Sequence, residues 1–480
     1  MSLRQKTVTG LVWSSVESIA AQTIQFLFGI ILARLLSPKE FGLIGMVAVF
    51  IAISEAFIYS GFSSALIRKK DCTQEDYSTV FIFNFAVGIL FFGLLFISAP
   101  AIGRFFDEVQ LRSIVRVLAI VLIIDSLSII QHTILTKRID FKLQTKISVI
   151  ASGTAGTVAI ILAFKGFGVW CLVVQTLLRQ GIRSFLLWIW NRWRPAMIFS
   201  KKSFIELFSF GSKLLLSTLI NTIYNNIYQL VIGKFFSARD LGFYTRAWQF
   251  QSLPSTTITN VVTRVAYPVL SHIQEDKEKL KEIYKRMIKS TMLVTFVIML
   301  GLAAIAEPMI ISLIGEKWRT SVVYLQMLCF CGMFFPLSFI NLNMLDVHGR
   351  SDLTLKLEII KKLLSIPTIV IGVLFGIKIM IAGMMLNSVI AYFLNSYFSG
   401  RFVNYSVKEQ LKDIAPAFII ACIMAMSVFF IGYFLTTSYI FKLIVQVTAG
   451  AFIFLIICEL TKMSDYIYLK QIVSEKILKK

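Results

Sequence analysis

The sequence predicts an all-α polytopic membrane protein of about fourteen transmembrane helices, arranged as two six-helix lobes followed by two C-terminal helices. Composition comes first. Hydrophobic residues make up 57% of the 480 and charged residues only 15%, where a soluble domain carries roughly 25% charge. A chain this poor in charge cannot cover its surface in water, and it is far too apolar for disorder. Apolar runs of about 20 residues recur along its whole length, enough to cross a hydrocarbon core. Those runs are apolar all round, without the alternation of a transmembrane β-barrel.

The candidate spans fall near 9–34, 42–66, 78–100, 113–136, 146–164, 167–191, 209–234, 246–270, 288–314, 321–345, 355–377, 379–399, 413–436 and 438–461. The first is longer than a signal peptide's apolar core, contains Glu17 and precedes no clear cleavage site, so it reads as a helix. Between spans six and seven lies 195–208, a halfway linker on the cation-rich side. It separates a lobe at 1–194 from a lobe at 209–400, with 401–480 holding the last two spans and a tail. The stretch 271–289 has Leu280, Ile283, Tyr284 and Met287 at helical spacing beneath Glu/Lys pairs, the pattern of an amphipathic helix in the interface. The linker at 195–208 has a similar character.

The chain has 48 Lys+Arg against 26 Asp+Glu, a formal net charge of +22. In a soluble protein that surplus would suggest nucleic acid. Here the cations are dispersed between apolar runs, so the expected partners are membrane lipids and no nucleic acid. They cluster in alternate loops: Arg68 to Lys70, Lys137 to Lys146, Arg192 to Lys202, Lys277 to Lys289, Arg350 to Lys362 and Arg401 to Lys412. Both termini share that side, which the positive-inside rule assigns to the cytoplasm.

An internal repeat supports the two lobes. Arg34-Leu35-Leu36-Ser37-Pro38-Lys39-Glu40-Phe41-Gly42 follows the first span, and Lys234-Phe235-Phe236-Ser237-Ala238-Arg239-Asp240-Leu241-Gly242 follows the seventh. The order of basic, apolar, serine, basic, acidic and glycine positions is the same in both. Parallel repeats of this kind build transporters that bind substrate between lobes and rock to alternate access.

Polar residues are costly inside a membrane and belong on a bundle interior or a watery cavity. Several recur at i, i+4 spacing, on one helix face. Span six has Gln175, Arg179 and Arg183; span seven has Asn221, Asn225 and Gln229; span eight has Asn260 and Arg264. The amides serve equally as interhelical hydrogen-bond glue, and the arginines can snorkel to the interface. The functional alternative is a cationic, amide-rich cavity: arginine forks suit phosphate oxygens, and amides suit sugar hydroxyls. Glu17, Glu55, Asp125 and Glu307 are isolated intramembrane acids, candidates for ion coupling. His132, His272 and His348 are isolated, and the six cysteines show no metal spacing, so neither metal nor cofactor is expected. The absence of a phosphate-cradling glycine loop, serine elbow or paired-carboxylate constellation argues against an enzyme.

Several short stretches, in order along the chain, carry a family resemblance: Leu36 to Gly42, Gly61 to Ile67, Arg138 to Lys142, Gly166 to Trp170, Leu241 to Ala247, Pro268 with Ser271, Gly315 to Trp318, and His348 to Arg350. The sequence resembles the polysaccharide transporter family of the multidrug/oligosaccharidyl-lipid/polysaccharide exporter superfamily, Wzx-type flippases of the colanic- and teichuronic-acid exporter branch. The resemblance implies a flippase of the bacterial inner membrane. Such a protein moves undecaprenyl-diphosphate-linked oligosaccharide to the outer leaflet for O-antigen, capsule or exopolysaccharide, beside polysaccharide polymerase machinery. It also implies membrane cations for the pyrophosphate, without fixing which residues supply them. Two rival readings remain open: a cation-coupled multidrug exporter of the same superfamily, which would favour an acidic cavity, and a membrane polysaccharide polymerase, which would need larger outer loops.

Overall fold

A computed structural model describes residues 3–59, 61–468 and 470–471, leaving aside the side chains of 3–12 and 14–19. The chain divides into two compact units, Met1–Gly242 and Phe243–Lys480. Among the described residues the first unit contains α1 (Leu3–Leu35), α2 (Pro38–Tyr59), α3 (Phe62–Arg68), α4 (Gln74–Phe105), α5 (Leu111–Leu118), α6 (Ile120–Lys137), α7 (Phe141–Phe164), α8 (Trp170–Asn191) and α9 (Lys201–Phe235). α10 (Ala238–His272) begins there and runs into the second unit. It is followed by α11 (Lys277–Ala304), α12 (Ala306–Ile314), α13 (Thr320–Met333), α14 (Phe335–Val347), α15 (Ser351–Phe375), α16 (Ile377–Phe402), α17 (Val407–Phe434) and α18 (Tyr439–Leu460).

Local sequence sets the helix ends. Thr73 and Asp76 form a reciprocal capping box at the start of α4. Asp140, Ser200, Asp276 and Ser406 each accept a backbone N–H at the start of α7, α9, α11 and α17. The two repeated turns fold alike. Ser37 donates its N–H and hydroxyl to Glu40 Oε2 at 2.6 and 2.9 Å, and Ser237 does the same to Asp240 Oδ2 at 3.3 and 2.6 Å. The glycine ending each turn lies against the backbone of the other: a Cβ on Gly42 would collide with the Ala238 carbonyl, and one on Gly242 with the Pro38 carbonyl. The repeat is therefore a packing requirement written twice.

In the first unit α1 pairs with α7, α7 with α8, and α4 with α6, while α2 packs on α9, α4 and α6. In the second α11 packs on α17 and α13, α15 and α14 on α16, and α17 on α18. Large apolar side chains such as Ile97, Phe164, Leu374 and Phe434 remain exposed, the faces that lipid covers. By length and composition ten helical stretches among the described residues are apolar enough to cross a membrane, fewer than the fourteen expected. At three of the remaining expected positions stand α8, α10 and α15, which carry Arg179 and Arg183, Arg246 and Arg264, and Lys356, Lys361 and Lys362 respectively. Polarity, not length, removes them.

Two expected amphipathic segments differ. The stretch 271–289 is no separate interfacial helix, because α11 starts at Lys277 and continues unbroken to Ala304. Its apolar stripe packs inside the second unit, with Leu280 and Tyr284 fully buried. Lys281 and Lys285 seal that edge by pairing with Glu409, and Lys285 also with Asp413, on α17. The linker is irregular until α9 begins at Lys201. Pro195 cannot continue a helix, and the backbone donors after it find side chains on α4: Ala196 N donates to Ser78 Oγ and Ser200 N to Thr79 Oγ1, each at 2.9 Å.

Candidate functional site: a charged interior in the first unit

The first unit gathers four of the expected residues. α2 supplies Glu55, α6 supplies Asp125, and α8 supplies Arg179 and Arg183 on successive turns of one face. The register of α8 against α6 is pinned farther along: Trp188 Nε1 donates to the Leu127 carbonyl at 3.0 Å. The Asn191 amide donates to Gln131 Oε1 at 2.6 Å and to its carbonyl at 3.2 Å. These bonds hold the arginine face of α8 toward Asp125.

Asp125 is only 2% exposed. Its Oδ1 accepts a hydrogen bond from Gln180 Nε2, whereas Oδ2 has no donor. The Glu55 carboxyl lies at hydrogen-bond distance from it, and both guanidinium groups act on both carboxyls electrostatically. Arg179 and Arg183 are half-buried and make no hydrogen bond or salt bridge among the described residues. Two half-buried guanidinium groups thus face two carboxyls in one charged cluster, and their N–H forks have the geometry to take anionic oxygens.

Gln180 and Tyr59 were not among the expected residues. Tyr59 follows Glu55 by four positions, and both carboxyls and Arg183 act on its phenol; the i, i+4 rule could have found it. Gln180 lies three positions before Arg183, so the i, i+3 rule would have included it. Gln175 is half-buried one turn before Arg179. Glu17 is on α1, but its side chain lies outside the described residues.

The polysaccharide biosynthesis protein family matches residues 31–323. The chain belongs to that family. Among its relatives, teichuronic acid biosynthesis protein TuaB of Bacillus subtilis (strain 168) is 28% identical across 95% of each chain. Lipopolysaccharide biosynthesis protein WzxC of Escherichia coli (strain K12) is 25% identical over 78% of this chain and 76% of its own. The fold resembles that of lipid II flippase MurJ in an inward closed conformation, with a TM-score of 0.77 and 15% identity over 94% of this chain and 98% of that one. It also resembles an inward-facing multidrug resistance MATE family transporter, with a TM-score of 0.62 and 18% identity over 80% of this chain and 96% of that one.

The remaining expected residues lie on α9, α10 and α12. On α9, Asn221 and Asn225 are exposed and Gln229 is half-buried, while neighbouring Asn226 bonds back to the Thr222 carbonyl of its own helix. On α10 the buried face is Gln251, Ser255 and Thr259, with Ser255 Oγ donating to the Gly332 carbonyl of α13 at 3.1 Å. Hydrogen-bond glue thus runs one position off the expected stripe, and Asn260 and Arg264 are exposed. Glu307 lies in the first turn of α12 and pairs with Arg319 at 2.7 Å, both about half exposed. Arg319 also engages Glu316 and Tyr439.

Proposed function

We propose that this multi-pass membrane protein is a flippase that carries undecaprenyl-diphosphate-linked oligosaccharide across the bacterial inner membrane for surface polysaccharide assembly. The observation that carries the reading is the pair Arg179 and Arg183. Both are half-buried on one face of a would-be spanning helix and lack hydrogen-bond partners among the described residues. Two guanidinium forks a turn apart suit the two phosphates of a diphosphate. The relatives named for teichuronic acid and lipopolysaccharide biosynthesis support a glycan cargo, and the MurJ-like fold supports a lipid-linked one.

In this reading fourteen spans form two six-helix lobes, 1–194 and 209–400, joined by 195–208 and followed by 401–480, and work by alternating access. Both termini are cytoplasmic. α8, α10 and α15 are spans whose polarity serves an interior. Glu55 and Asp125 offset the arginines when no anion is bound, and they remain candidates for ion coupling. Gln175 extends the diphosphate face, and Asn221, Asn225, Gln229, Asn260 and Arg264 remain candidates for the sugars and outer phosphate. Glu17 remains a coupling candidate, whereas the Glu307–Arg319 pair points to a structural role for Glu307.

The test is translocation of a fluorescent undecaprenyl-diphosphate oligosaccharide in proteoliposomes, followed by a membrane-impermeant quencher. Arg179→Ala should slow it by about 10- to 100-fold, as expected for one lost charged hydrogen-bonding group, and Arg179→Lys should slow it less. Equal rates in wild type and both variants would remove Arg179. No translocation by wild type would sink the flippase reading. The Glu55–Asp125 carboxyl pair favours a second reading, export of organic cations. Cation efflux that Glu55→Gln abolishes, with glycan translocation intact, would establish it.

A further inference from the structure

Two of the stretches that carry the family resemblance, Leu36 to Gly42 and Gly166 to Trp170, are far apart in sequence, yet they wall one cavity of about 290 Å³. Gln110, from the turn between α4 and α5, completes it. The three turns involved follow the first, third and fifth spans, so they lie at the end of the first unit away from the cation-rich loops.

The chemistry of the walls is specific. Phe167 and Trp170 are exposed, at 52% and 37%. Glu40 uses Oε2 to hold the Ser37 turn, which leaves Oε1 as a free acceptor. A Cβ on Gly168, whose φ is +55°, would lie 2.6 Å from that oxygen, so glycine keeps the approach open. The Gln110 amide and the Trp170 indole N–H have no hydrogen-bond partner among the described residues. Lys39 is neutralised by Glu108 at 2.8 Å.

We propose that this cavity binds a neutral pyranose ring of the glycan. Such a ring offers an apolar C–H face for stacking and hydroxyls that both donate and accept, which matches a cavity lined by two aromatic side chains, a free carboxylate oxygen, an amide and an indole N–H. A phosphate or carboxylate ligand is disfavoured, because Glu40 and Glu108 outnumber Lys39. Anchoring in lipid headgroups explains exposed aromatics, but not their convergence with a carboxylate, an amide and an indole N–H on one cavity. The assignment takes its glycan from the proposed function; it makes this end of the first unit a station for the sugar, distinct from the arginine pair that takes the diphosphate.

Saturation-transfer NMR on the full chain in detergent micelles tests it, with glucose and N-acetylglucosamine as probes. Transfer to ring protons is expected in wild type. It should fall about fivefold in Trp170→Ala, as expected for loss of a stacking face, and also in Glu40→Gln, which preserves the acceptor for Ser37. Met197→Ala, on the exposed linker, should leave it unchanged and reports on general folding. Absence of transfer in wild type, equal transfer in Trp170→Ala, or displacement of the sugar by inorganic phosphate would overturn the proposal. Trp170-dependent transfer alongside failed translocation of lipid-linked glycan would uphold the sugar site while removing the flippase reading, so the two failures are distinguishable.

Discussion

Two polar clusters, one in each unit, are built differently. In the first, α2, α6 and α8 bring Glu55, Asp125, Arg179 and Arg183 together, with Asp125 Oδ2 and both guanidinium groups left without hydrogen bonds. In the second, α11, α14 and α16 share a neutral chain: Tyr284 Oη donates toward Asn341 Oδ1 at 2.5 Å and lies 3.1 Å from Ser399 Oγ, and Asn341 Nδ2 donates to Ser396 Oγ at 2.8 Å. The neutral chain is closed on itself and rigidifies the helices it joins. The charged cluster sets two guanidinium groups against two carboxyls by charge, with donors on the arginines that no protein group accepts among the described residues. Under the proposed function, the contrast separates a structural polar core from one that takes cargo.

The sharpest way to break the contrast is Asp125→Leu. It orphans the Gln180 amide and strips the arginines of a buried counter-charge, which should cost about 3 kcal/mol of stability and nearly abolish translocation. Asp125→Asn keeps the size and an acceptor for Gln180, so it should recover most of the stability without recovering transport. Thermal melts in detergent beside proteoliposome rates would check both. If Asp125→Asn transports like wild type, the acid is structural and the contrast fails.

Asn341→Leu probes the other side. It leaves Tyr284 Oη and Ser396 Oγ short of a buried partner, at a cost of about 2 kcal/mol. Translocation per folded molecule should stay within about twofold of wild type, since no substrate group is assigned there. A loss of transport larger than the loss of folded protein would show that the second unit's neutral chain also handles cargo.

What the sequence shows of this arrangement follows from where its physics is local. Helix positions are legible because an apolar run long enough to span is a property of consecutive residues, and the repeated Ser37–Glu40 and Ser237–Asp240 turns are legible because a cap needs only four. Arg179 and Arg183 stand out by spacing alone. Their partnership with Glu55 and Asp125 does not, because it depends on α2, α6 and α8 meeting in register. The Ser255 glue was missed by one position for a similar reason: i, i+4 spacing defines a face without saying which face meets α13. Glu307 looked isolated because Arg319, its partner, lies beyond the end of α12, where Gly315 breaks the helix.

That last pair gives the mildest test of the contrast, because the second unit carries this cluster of charge at an exposed rim. Arg319 is hydrogen-bonded to Glu316, which holds the Glu316 carboxyl below its usual range. A carboxyl depressed in the folded state contributes stability above its unfolded pKa, and that contribution disappears as pH falls through the folded value. The melting difference between wild type and Arg319→Ala should therefore be small at neutral pH, shrink further in concentrated salt, and vanish in strong acid. The interior cluster should behave otherwise, because buried charges are screened far less by salt. If Asp125→Leu and Arg319→Ala lose their effects in parallel as salt rises, the charge of the first unit is no more interior than that of the second.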